Sequence, residues 1–136
     1  MIYQTDDAFG PDIRHFGCYF LSLIHELNRL FGLPMLDHKV IELIYQHEKA
    51  DGDMGDEAFI ENPQGVCDHI IPGKVKFLGK FAFDYKPAPN QFEIQCWYNP
   101  ATEFRHFVAP GYDPIQGGSR TLREGHIESK RIYQII

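Results

Sequence analysis

Apolar residues first recur at helical spacing between residues 18 and 31. In "CYFLSLIHELNRLF", Phe20, Leu23, Ile24, Leu27, Leu30 and Phe31 fall on one stripe. That i, i+3, i+4, i+7 pattern belongs to a helix that buries one face. Gly32 and Pro34 predict its end. A second helix is expected from Asp37, whose carboxylate suits an N-cap, with Val40, Ile41, Ile44 and Tyr45 turned inward. "KADGDMGDEAFIENPQG" then reads as an acidic, glycine-containing connection with a short helical turn around Asp56 to Ile60. "DHIIPGKVKFLGKFAF" marks a further element whose type the pattern leaves open.

At Gln91 the period changes to two. Phe92, Ile94, Cys96 and Tyr98 alternate with Glu93, Gln95 and Trp97, which is strand periodicity. "RHFVAPGYDPI" reads as two short strands joined by Pro110-Gly111, a pair suited to a type II turn. A turn at Glu124-Gly125 and a closing strand from about Ile127 follow. Helices first and a meander of antiparallel strands afterwards predict an α+β fold, its N-terminal helices packed on a C-terminal antiparallel sheet. Residues 1–136 read as one domain, without repeats or linkers.

Composition narrows the class. At 136 residues, 43% hydrophobic and 14% aromatic, the chain has the make-up of a folded globule. No apolar run reaches the roughly 18 to 20 residues of a membrane span. "MIYQTDDAFGPD" lacks the basic and apolar regions of a signal peptide. Three cysteines, Cys18, Cys67 and Cys96, make no disulfide framework, so a reducing cytoplasm is the expected compartment. The net charge of −6 divides unevenly: residues 1–70 hold 13 acids and 4 bases, residues 71–136 hold 6 acids and 9 bases. An acidic chain of this kind is a poor partner for nucleic acid.

Cys18 is the residue with the strongest chemical reading. It follows Gly17 at the start of the first helix, where free N–H groups lower a thiol pKa. A thiol nucleophile also needs a base and an orienting group. His106 in "RHFVA" and Asp113 in "GYDPI" supply them. If Pro110-Gly111 is a two-residue hairpin loop, Ala109 pairs with Tyr112 and Val108 with Asp113. His106 and Val108 share a face, so Asp113 lies diagonal to His106 and within reach of it. A register change of one residue would put it on the wrong face.

Cysteine at a helix start, then histidine and aspartate on strands, resembles the order in papain-like cysteine hydrolases. The segments "RHFVA" and "GYDPI" are similar to the His-Phe/Trp-Val-Val and Asp-Pro strands of bacteriocin-processing peptidases. The helix start "GCYF", the "HFV" strand and the tail "YDPIQGGSRTLREGHIESKRIY" are also similar to an uncharacterised family from phage and plasmid replicons. The first likeness implies a papain-like fold in which the Cys18 thiolate attacks an amide, isopeptide or thioester carbon of a peptide or protein substrate. His106 would then be the general base and Asp113 its orienter, with the Cys18 N–H in the oxyanion hole. The second implies an accessory role in the cytoplasm of a bacterial host. Papain-like enzymes carry an oxyanion glutamine about six residues before the cysteine. Asp12 stands there, while Gln4 and His15 lie at other spacings. A competing reading is a non-catalytic papain-like scaffold that binds a host protein.

Other signals are weaker. Seven histidines and the "CDH" at residues 67–69 offer metal ligands, but no second CxxC-like pair and no HExxH accompany them. His25, His38 and His47 read as solvated helix positions, and neither a metal nor a cofactor is expected. "DGDMGDEAFIEN" fails the EF-hand pattern at its glycine and at its twelfth position. "QGGS" at 116–119 lacks the lysine and following helix of a P-loop and reads as a turn. Trp97, Tyr98, Phe104 and Phe107 suit a core or a platform. Arg120, Arg123, Lys130 and Arg131 read as a solvated face.

Overall fold

The computed structural model describes residues 2–33 and 36–136, so the expected stop at Pro34 lies outside the described residues. Element order is α1 (Pro11–Phe16), α2 (Cys18–Phe31), α3 (His38–Ala50), a 3-10 turn (Asp56–Ala58), α4 (Pro63–Ile70), β1 (Val75–Ala82), β2 (Gln91–Asn99), β3 (Phe104–Val108), α5 (Arg120–Glu124) and β4 (His126–Ile135). The fold is α+β, with helices toward the N-terminus and a four-stranded antiparallel sheet toward the C-terminus.

Helix α2 has the expected bounds, and Phe20, Leu23, Ile24 and Leu27 on its stripe are sealed from solvent. Asp37 caps α3, its side chain accepting from the Val40 N–H, while Ile41 and Tyr45 are buried. Helix α1 has no counterpart in the sequence reading. It is one and a half turns long, too short for a periodic stripe, and Pro11 starts it where a missing N–H costs nothing. Gly17 separates α1 from α2. A Cβ there would sit 2.6 Å from the Ile13 carbonyl oxygen and 2.9 Å from the Ile13 Cα. The residue before the cysteine is glycine because two helices meet there.

The unassigned segment resolves into α4 and β1. The sheet is no simple meander: its order is β1-β4-β2-β3, so β4 lies between the two strands that precede it in sequence. On β2, Phe92, Ile94 and Cys96 are buried in strict alternation. A register shift opposite Cys96/Trp97 then breaks the pattern, so that Asn99 is buried next. Pro110-Gly111 does form the two-residue loop, with Ala109 and Tyr112 exchanging both backbone bonds at 3.1 and 3.0 Å. Gly111 has φ +77°, as the third position of a type II turn requires. The second strand expected after that loop is a single bridge instead, because the Asp113 carboxylate draws the chain into a turn.

Two expectations about the tail are corrected. A helix, α5, follows "QGGS", with Ser119 capping it by accepting from the Leu122 N–H. Lys130 and Arg131 are not on a solvated face. Lys130 is buried, paired with Glu93 at 3.1 Å and donating to the Tyr85 carbonyl. Arg131 lies over the Phe107 ring.

The Gly17→Ala variant tests the helix junction. Its methyl group must push against backbone, so an overpacking loss of about 1–3 kcal/mol is expected in urea unfolding, with the Tm falling accordingly.

Candidate functional site

Three contacts seat the first turn of α2 against the sheet. The Tyr19 ring stacks on Phe107 with centroids 4.5 Å apart and planes 11° apart. The Tyr19 and Tyr133 hydroxyls are 2.6 Å apart. One turn along, the Ser22 hydroxyl donates to the Phe107 carbonyl at 3.3 Å. Cys18 precedes Tyr19 and His106 precedes Phe107, so these contacts bring the thiol beside the imidazole.

His106 is buried on β3, opposite Trp97. Its Nε2 lies 2.7 Å from Asp113 Oδ1, which leaves Nδ1 unused by that bond, and Cys18 lines the same cavity as the ring. The structure therefore brings together all three residues singled out in the sequence. Asp113 is itself held: Oδ1 accepts from the Ile115 N–H at 2.8 Å and Oδ2 from the Ser119 N–H at 2.9 Å. Residue 113 is fixed by the loop that ends at α5.

The electrostatics follow from these bonds. Burial alone would lower the His106 pKa, but the bonds to Asp113 and Cys18 outweigh it and raise the pKa to about 9. Burial pushes the Asp113 carboxyl upward. The His106 bond and the two N–H groups outweigh that and hold it below the usual carboxylate value. The other two cysteines are more deeply buried than Cys18. Cys67 is sealed, and burial pushes its thiol up to about 12. Cys96 is buried and its thiol is likewise raised by burial. Cys18 is half-buried and opens on a cavity.

That cavity has a volume of about 910 Å³ and is lined by Cys18, His106, Tyr19, Gln4 and the loop from Gly55 to Glu61. Gln4 lines this cavity, and Asp12 does not. Its side chain is buried in the cavity wall, its Nε2 donates to the Arg14 carbonyl at 3.1 Å, and its own N–H to the Pro114 carbonyl at 2.8 Å. A primary amide has a second N–H. Asp12 is engaged elsewhere: it accepts from the Tyr45 hydroxyl at 2.8 Å and lies 3.9 Å from Lys49 Nζ. No local motif marks Gln4, because chain folding and not spacing puts it there.

The loop wall is strained. Glu57 and Ala58 have φ of +61° and +55°, the left-handed region that costs a non-glycine residue about 1–3 kcal/mol. Ala58 is secured by its N–H, which donates to Tyr45 Oη at 3.3 Å. Phe16 and Phe59 are exposed at the cavity rim. Acidic Asp56, Glu57 and Glu61 line the loop, and Arg105 and Arg131 line the sheet.

The family model described as protein of unknown function, DUF261, matches residues 1–135, and the chain belongs to that family. No curated protein and no solved structure matches the chain. No helix among the described residues is long and apolar enough to cross a membrane.

The His106 ring is expected to titrate near pH 9 by NMR, and Asp113→Asn should move it back toward 6.5. The raised pKa also sets a stability slope. The contribution is complete below the unfolded value of 6.5 and is lost as pH rises through about 9. Denaturation midpoints measured across that window should fall with pH in the parent protein and flatten in Asp113→Asn.

Proposed function

We propose that this DUF261 member is a cysteine-dependent hydrolase of papain-like arrangement, acting on an amide, isopeptide or thioester bond of a peptide or protein. The observation that carries the reading is the placing of His106: its Nε2 is held by Asp113, and its ring shares a large cavity with Cys18, the half-buried cysteine of the three. Order along the chain, the helix-start cysteine and the orienting carboxylate all agree with it.

The chemistry proceeds in two halves. At neutral pH the His106 imidazolium already holds the proton drawn from Cys18, and the thiolate attacks the acyl carbon, placing negative charge on its oxygen. Cys18 N–H, among the helix-start amides without an intrahelical partner, donates to that oxyanion. The second N–H of Gln4 is the other donor. As the tetrahedral adduct collapses, the bond to the leaving group breaks and the imidazolium protonates the departing atom. Water, deprotonated by His106, then cleaves the thioester and restores the thiol. Asp113 holds the ring orientation throughout and stabilises the imidazolium.

The rim describes the substrate. Phe16 and Phe59 offer apolar contact to a side chain, while the acidic loop faces the arginines across the opening. An extended segment with an apolar residue next to the cleaved bond fits this rim.

Iodoacetamide at neutral pH, followed by peptide mass mapping, tests the nucleophile. Cys18 should be labelled much faster than Cys67 and Cys96, and His106→Ala should slow it. Equal labelling, or an inert Cys18 in the folded protein, would overturn the hydrolase and leave a scaffold that binds a host protein. On any peptide or thioester substrate found, Gln4→Ala should lower kcat about 10²–10³-fold, as loss of one oxyanion donor does, with little change in KM.

A further inference from the structure

A second cluster lies outside this site, where α3 meets α4. His47 and Glu48 are in the last turn of α3, and His69 is near the end of α4. One ligand atom from each lies within 4.8 Å of the others. Glu48 is completely buried. Its Oε1 contacts His69 Nδ1, and its Oε2 accepts from no donor group among the described residues, the Asp53 carboxyl beside it being a further acid. A buried carboxylate oxygen without a partner is costly, and native structures rarely tolerate one. The two imidazoles stack with centroids 3.9 Å apart, and both remain open to solvent. His47 is thus more than a solvated helix position: its ring stacks on that of His69 beside a sealed carboxylate.

We propose that His47, Glu48 and His69 form a binding site for a divalent transition metal, with Zn²⁺ the ion that suits the donors best. Two imidazole nitrogens and one carboxylate oxygen are a borderline-soft set that tetrahedral zinc accepts, with water in the fourth position. Bonds of about 2.0–2.2 Å place tetrahedral ligands about 3.4 Å apart. The spread in the structure therefore needs only a small closure, which the exposed imidazoles can supply by side-chain rotation. An ion there gives the buried Glu48 carboxylate a cationic partner.

The site has a consequence for the cavity. Everything between Glu48 and His69 includes the loop that walls it, from Gly55 to Glu61. That loop is already tied to α3 by Asp53 N–H donating to the Glu48 carbonyl at 3.0 Å. A metal bridging α3 and α4 clamps both ends of the segment and orders the cavity wall. The clamp does not depend on what Cys18 does.

The test uses the full chain, freed of metal by chelator, in the Cys18→Ser background so that the thiol contributes no binding. Titration with Zn²⁺ by calorimetry should give one ion per chain with micromolar or tighter affinity. Co²⁺ should give the visible absorption of a tetrahedral N/O site. His47→Ala and His69→Ala should each weaken binding by at least about tenfold, the lower bound for disturbing a metal site. Both side chains are solvent-open, so these variants should fold, and circular dichroism checks that they do. Hydrogen exchange at residues 53–62 should slow on Zn²⁺ addition. No binding, or binding that survives both variants, overturns the site; bound Zn²⁺ with unchanged exchange overturns the clamp.

Discussion

The seating of α2 on the sheet is the constraint on which the site depends. An aromatic stack, a paired tyrosine hydroxyl and one serine bond hold the first turn of a helix against the adjacent strands. Each contact is modest, an aromatic pair about 0.5–1.5 kcal/mol and a hydrogen bond about 1 kcal/mol net. Their value lies in position. Tyr19 neighbours Cys18 and Phe107 neighbours His106, so a contact made for packing sets the thiol and the imidazole on the wall of one cavity. Stacking restrains rotation of the helix about its axis, and the Ser22 bond restrains sliding along it.

The opposite wall is built on another principle. Its loop holds two non-glycine residues in left-handed conformations and is bound at Ala58 through Tyr45. Tyr45 is a core residue of α3 that also engages Asp12 of α1. A single phenol therefore relates the loop, the first helix and the third. It also accounts for Asp12, whose carboxylate is turned toward Tyr45 and Lys49. Strain of this kind persists when its surroundings over-determine it, and here they do.

Much of this was legible in the sequence where local chemistry decides. The bounds of α2, the Asp37 cap, the alternation on β2 and the Pro110-Gly111 loop follow from periodicity and turn stereochemistry, and the loop turns the chain back so that Asp113 meets His106, held there by the turn that follows. What escaped depends on distance along the chain. The place of β4 between β1 and β2 is a matter of pairing among strands dozens of residues apart. Helices α1 and α5 are too short to show a period. Gln4 reaches the cavity through a backbone bond to Pro114, 110 residues away. Lys130 and Arg131 looked solvated because charge is normally exposed, and only the fold reveals Glu93 beneath one and Phe107 beneath the other.

The central position of β4 also governs the order of assembly during synthesis. Residues 1–125 carry the thiol, the imidazole and the carboxylate, yet Tyr133 and both inner edges of the sheet wait for residues 126–135. Until that strand leaves the ribosomal tunnel, β1 has no partner and α2 lacks its tyrosine anchor. Long-range pairing of this sort forms late. The thiol, the imidazole and the carboxylate are thereby brought to one place only when the last strand is in, a sequence of events written into strand order.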